Sequence, residues 1–186
     1  MMLVIANEMI AVIFLFFSSV YFLQSPEYFG LEQAESAKVA GDLIFYTYPF
    51  AIIFDMTSGY IYTIFGRKWP IFFGNMLSCV MLILIPLTIK TIYPGLFIAM
   101  VAINFAHSLP KNHPLIADYI KGSSRGTATA LVTVASSLGA LVSIKFLFGE
   151  LKYMDYLTNS IIVSAVNFII SIFLLFGIKD VHKPIN

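Results

Sequence analysis

The sequence predicts an all-α integral membrane protein, a single domain over residues 1–186 with six transmembrane helices. Two observations predict it. Hydrophobic residues make up 59% of the chain and charged residues 11%, with a mean hydropathy of +0.88, whereas a soluble domain carries roughly 25% charged residues. Such a chain cannot cover itself with water-compatible side chains, so its solvent is the lipid bilayer. In addition, apolar runs recur at about the 20-residue length that a helix needs to cross a hydrocarbon core about 30 Å thick.

The spans fall at about 2–23, 42–65, 70–89, 94–110, 126–148 and 157–178. The first begins MMLVIANEMIAVIFLFFSSVYFLQ, with no Lys or Arg before Lys38. A secretory signal needs a basic start and a transit peptide needs arginines, so a permanent span from near Met1 is expected. The segment SPEYFGLEQAESAKVAGD holds the densest acidity and predicts a short amphipathic or irregular loop. Span two ends in GYIYTIFGRKWPI. Gly66 suits the position past a helix C-terminus, and Arg67 and Lys68 suit its negative dipole end. Trp69 belongs at headgroup level and Pro70 in the first turn of span three. Gly59 is expected where a neighbouring helix approaches closely. Span four is the shortest, bracketed by Pro94 and Pro110. Residues 126–144 and 156–178 carry no charge and form spans five and six.

The loops 66–69 and 111–125 and the tail 179–186 hold seven of the eleven Lys and Arg residues, and the opposite side holds four. The bias predicts both termini on the cytoplasmic or matrix-like side, of a plasma membrane or a mitochondrial inner membrane. A net charge of +1 without a basic stripe argues against a nucleic-acid partner. Cys79 stands alone in an apolar run, and no histidines share a ligand-type spacing with a carboxylate or cysteine, so neither metal nor cofactor is expected. No catalytic constellation is present, and an enzyme is not expected.

Polar groups inside the spans are the candidate functional residues. An acid at membrane depth costs about 2.5–3.5 kcal/mol on insertion scales. Glu8 and Asp55 are therefore expected to face protein or water, as a proton or cation site on a transport path. The bland alternative puts Glu8 at the interface and bonds Asp55 to Tyr or Thr hydroxyls. Tyr46 and Tyr48 are candidates to line that path, while Tyr60 and Tyr62 fit a path or an anchoring belt equally well. On span five, Thr129, Thr133 and Ser136 form a polar stripe among small residues that include Gly126 and Gly139, a pattern suited to close helix packing. Gly74 and Ser78 make a similar, weaker pair on span three.

The hairpin resembles the motif joining helices two and three in the major facilitator superfamily, G-x-L-x-D-x-x-G-R-[RK]. Gly59, Ile61, Gly66, Arg67 and Lys68 match it or match conservatively, and the motif follows the second span on the basic side. PLIADYIKGSSRGTATA is similar to that family's link into helix five, with Asp118 and Arg125 as loop charge partners. The resemblance implies a gate hairpin and a transporter of about twelve spans in two similar halves, of which this chain supplies one. Thr63 stands where the family has an aspartate that helps hold the inward gate, and Asp55 lies eight residues away, about 12 Å deeper. Span four also lacks the arginine of many proton-coupled members.

Three readings follow. The chain is a carrier moving a small solute by alternating access, paired with a second copy or another six-span chain. Alternatively it is a non-transporting accessory subunit of a larger membrane complex, such as an energy-transducing one. Or it is part of a twelve-span protein.

Overall fold

Alanine, glutamate, glutamine and lysine, all good helix formers, fill most of QAESAKVAG at positions 33–41. In the computed structural model the second span starts there. The structure describes residues 3, 6, 7, 9, 10, 13, 21–110, 112–145 and 154–178. Helix α1 runs from Gln33 to Phe65, nine residues earlier than the expected start at 42. The acidity of the preceding segment, read as a loop, instead supports the helix. Glu32 is the extended N-cap, and Glu35 sits in the first turn near the positive dipole end. Only the front of that segment is a turn: the N–H groups of Tyr28, Phe29 and Gly30 all reach the Ser25 carbonyl, with Gly30 at φ 61°.

Helix α2 spans Lys68–Thr88, α3 Phe97–Ser108, α4 Asn112–Tyr119, α5 Arg125–Lys145 and α6 Tyr156–Gly177. A π-type turn, Ile92–Leu96, leads into α3, so Pro94 stands at the helix entrance, with Pro110 just past its end. The link 111–125, expected as a loop, contains α4 and a 3₁₀ turn at Gly122–Ser124. Leu115 of α4 packs against Tyr62 and Ile71, which explains why the link is ordered on the bundle. Among the described residues all regular structure is helical.

Among the described residues four helical segments are long and apolar enough to span a bilayer: Gln33–Phe65, Lys68–Thr88, Gly122–Lys145 and Tyr156–Gly177, with Ile92–Ser108 a shorter apolar one. Span one falls mostly outside the described residues, although Leu3, Ala6, Asn7, Met9, Ile10 and Ile13 are helical.

Helix α2 is the centre of the packing, held against α6 on one side and α3 on another, while α1 packs on α3. Gly74 makes the α2–α3 approach possible. A Cβ there would stand 2.7 Å from both the Ala106 carbonyl oxygen and the Leu109 Cβ. Across the other contact, the Ser164 hydroxyl donates to the Cys79 carbonyl at 3.1 Å. The main apolar core gathers Ile10, Ile13, Leu43, Leu82, Ile85 and Ile103. At the end away from the hairpin, the Phe22 ring packs on Tyr28 at 4.6 Å and Tyr156 at 5.0 Å. Asp155 caps α6 beside them, accepting from the Thr158 N–H and hydroxyl. Those bonds hold its carboxyl below the usual carboxylate range.

Candidate gate hairpin and transport face

Between α1 and α2 the chain reverses in two residues. Gly66 adopts φ 75°, ψ −166°, a region essentially reserved for glycine. A side chain at 66 would strain the reversal, so the helix-ending role expected of Gly66 is fulfilled for a stated backbone reason. Arg67 then enters α2 in helical geometry, which aims its side chain toward α4.

There it meets the acid that the hairpin itself lacks. Arg67 Nε and Asp118 Oδ2 are 2.7 Å apart, with each side chain about a quarter exposed. A charge-assisted bond of that length in a half-wet setting contributes on the order of 1 kcal/mol. The guanidinium also lies 5.3 Å above the Tyr62 ring, within range of a cation–π attraction. Tyr62 is buried beside Leu3 and Ile71, and its hydroxyl donates to the Leu109 carbonyl at the end of α3. One tyrosine and one ion pair thus join the ends of α1, α2, α3 and α4. Thr63 takes no part in this link: it is exposed, and its hydroxyl donates back to the Gly59 carbonyl at 3.0 Å. Arg125 Nε donates to the Ile120 carbonyl at 3.2 Å. Lys68 is half-buried at the start of α2.

The candidate path residues lie on α1. Its buried stripe is Ser36, Ala40, Leu43, Thr47, Ser58 and Tyr62. Tyr48, Asp55 and Gly59 are exposed and follow at steps of seven and four, so they share one flank of that stripe. Tyr46 is exposed on the other flank with Tyr60, so the helix does not bring Tyr46 and Asp55 together. Asp55 stands ten residues before Phe65, about 15 Å along the axis and near the middle of a hydrocarbon core about 30 Å thick. The close helix approach expected at Gly59 does not occur, since a Cβ there would meet nothing within 4 Å. Glu8 lies outside the described residues.

Helix α5 repeats this split. Ala135, Gly139 and Ser143 are buried, and Ser136 is half-buried. Gly126, Thr129 and Thr133 are exposed, and a Cβ at Gly126 would also meet open space. The hydroxyls of Thr129 and Thr133 donate to carbonyls of their own helix, those of Arg125 and Thr129. Within this chain, therefore, packing falls to Gly139 and Ser136, not to the front of the stripe.

Residues 8–184, nearly the whole chain, match the sequence profile of the Major Facilitator Superfamily. The chain belongs to the major facilitator superfamily. Searches of curated proteins and of solved structures return no significant match. As a member of a transporter superfamily built on apolar helices, it is an integral membrane, transporter-like protein.

Sequence reasoning missed two parts of this superfamily hairpin. The partner of Arg67 is 51 residues away along the chain, and no local pattern announces it. Tyr62 was not separated from Tyr60, although helical spacing distinguishes them: Tyr62 follows buried Ser58 by four residues, whereas Tyr60 lies about 160° round the helix from Tyr62.

Proposed function

We propose that this protein moves a small solute across the membrane by alternating access, and that its six-helix unit works against a second one. The second unit is another copy, another chain or another part of the same polypeptide. Asp55 carries the proposal. A carboxylate at mid-depth on an uncovered helix flank costs about 2.5–3.5 kcal/mol if it faces lipid. A second unit laid over α1 and α5 turns that flank into the wall of a polar cavity, with Tyr48 one heptad from the acid. Glu8 is a further candidate for the same cavity. The exposed tyrosines and small hydroxyl-bearing residues of α1 and α5 suit a surface that slides or rocks against protein. The Arg67–Asp118 pair then belongs to the inward gate, with Asp118 standing in for the acid absent at Thr63. Both termini lie on that same side, cytoplasmic or matrix-like.

Native mass spectrometry of the particle, extracted gently from its membrane, tests the reading. Two six-helix units per particle are expected. Stoichiometric recovery inside a large complex would instead make the chain an accessory subunit.

A further inference from the structure

Three asparagines stand one to two helical turns above the apolar cluster at the hairpin end. Leu3 and Ile71 pack together there, with Leu174 against them. Asn7 follows Leu3 by four residues and Asn75 follows Ile71 by four. On antiparallel α6, Ser171 and Asn167 precede Leu174 by three and seven. Steps of three, four and seven stay on one helix face, so all of these side chains stand deeper than the apolar cluster and over it. The Ser164–Cys79 bond brackets the same level from the other side. Asn75 is fully buried, and Ser78 and Asn167 nearly so.

The polar atoms at this level are unmet. Asn75 lacks a partner at both Oδ1 and Nδ2, Asn7 at Oδ1, Asn167 at Nδ2 and Ser78 at Oγ. Ser171 Oγ is already engaged, donating to the Asn167 backbone carbonyl at 2.8 Å, with Asn167 Oδ1 at 3.5 Å. Lone buried amides are rare in native structures because each keeps its desolvation penalty.

We propose that this junction is an internal water site bridging the N-terminal helix, α2 and α6. The mixture of unmet groups selects the ligand. A cation would satisfy the carbonyl and hydroxyl oxygens but face two amide NH2 groups. An anion would do the reverse. Water both donates and accepts, and a buried water characteristically makes about three bonds to such groups. Below, Leu3, Tyr62 and Ile71 close the site toward the hairpin end with apolar surface. Because bridging water ties the three helices at one height, the site sets their register.

The test uses the full chain in lipid nanodiscs. Asn75→Leu and Asn167→Leu, made singly, each lower the thermal midpoint by several degrees, and the double variant loses no more than the worse single one, because the pair shares one bridge. Additive losses, or a raised midpoint in either single variant, would overturn the proposal. Should Asn75→Leu fail to accumulate as folded protein, Asn75→Ser, which keeps a hydrogen-bonding group, reads the same coupling to Asn167→Leu. Exchanging potassium for sodium, or chloride for sulfate, at fixed ionic strength leaves the wild-type midpoint unchanged. An ion-specific rise would overturn water in favour of an ion.

Discussion

Helices α2 and α6 differ from α1 and α5 in where their polar residues go. On α2 and α6, Asn75, Ser78, Asn159, Ser160, Ser164, Asn167 and Ser171 all point inward, while bulky Phe73, Val80, Phe168 and Phe173 face outward. This is the arrangement of a pair immersed in lipid, apolar outside with hydrogen-bonding groups within. On α1 and α5 the exposed faces carry Asp55, Thr63, Thr129 and Thr133 among the apolar side chains. Only 17% of the most apolar stretch of each is buried, against 39% on α2 and 28% on α6. The first pair is finished within this chain. The second keeps polar side chains on its exposed faces.

That contrast can be broken at Gly74. Gly74→Leu forces a side chain into the α3 backbone and is expected to abolish folding, and Gly74→Ala to cost about 1–3 kcal/mol; thermal unfolding in detergent reads both. Gly59→Ala and Gly126→Ala, on the open faces, should leave the same midpoint unchanged or raise it. Next in size is Asp55→Leu. If a second unit shields the carboxylate from lipid, removing it stabilises the separated unit by about 2.5–3.5 kcal/mol, which loosens pairing roughly a hundredfold. Native mass measured over a dilution series follows the shift, and unchanged pairing would put Asp55 outside the contact.

Gly66→Ala is expected to cost about 1–3 kcal/mol through backbone strain alone, whereas Thr63→Val, in the same hairpin, should cost nothing measurable in the unfolding midpoint. Arg67→Ala and Asp118→Ala should each lose on the order of 1 kcal/mol. The exchanged pair Arg67→Asp with Asp118→Arg should recover part of it in a double-mutant cycle. A smaller, pH-dependent effect belongs to Asp155. Its carboxyl is depressed by Thr158, so its contribution is complete above the ordinary carboxylate value and fades as pH falls through the lower folded one. Asp155→Asn keeps a capping oxygen and should flatten that acid limb of the midpoint-versus-pH curve.

The features legible in advance were those set by local chemistry. Gly66 ends a helix at a backbone essentially reserved for glycine, and Pro70 stands in the first turn of α2, where its missing N–H costs nothing. The start of α1 was equally local but was misread, because acidity was weighted as solvated loop over the helix propensity of QAESAKVAG. Asp118 as the partner of Arg67 rests on tertiary contact. The orphaned asparagines were invisible for the same reason, since Asn7, Asn75 and Asn167 share a level only once three helices are stacked.

Helix α1 is about 50 Å long, some 20 Å more than the hydrocarbon core requires, and its excess makes it a lever. From Asp55 to Gln33 the arm is about 33 Å. A tilt of about 10° around Asp55 would sweep the far end by about 6 Å. That end is tied down: Gln24 Nε2 donates to the Ser36 hydroxyl at 2.8 Å, and two residues before Gln24 the Phe22 ring packs on Tyr156 at the head of α6. A small rotation beside the exposed acid would thereby reach α6 magnified, where a spin label would read it at several times its original size.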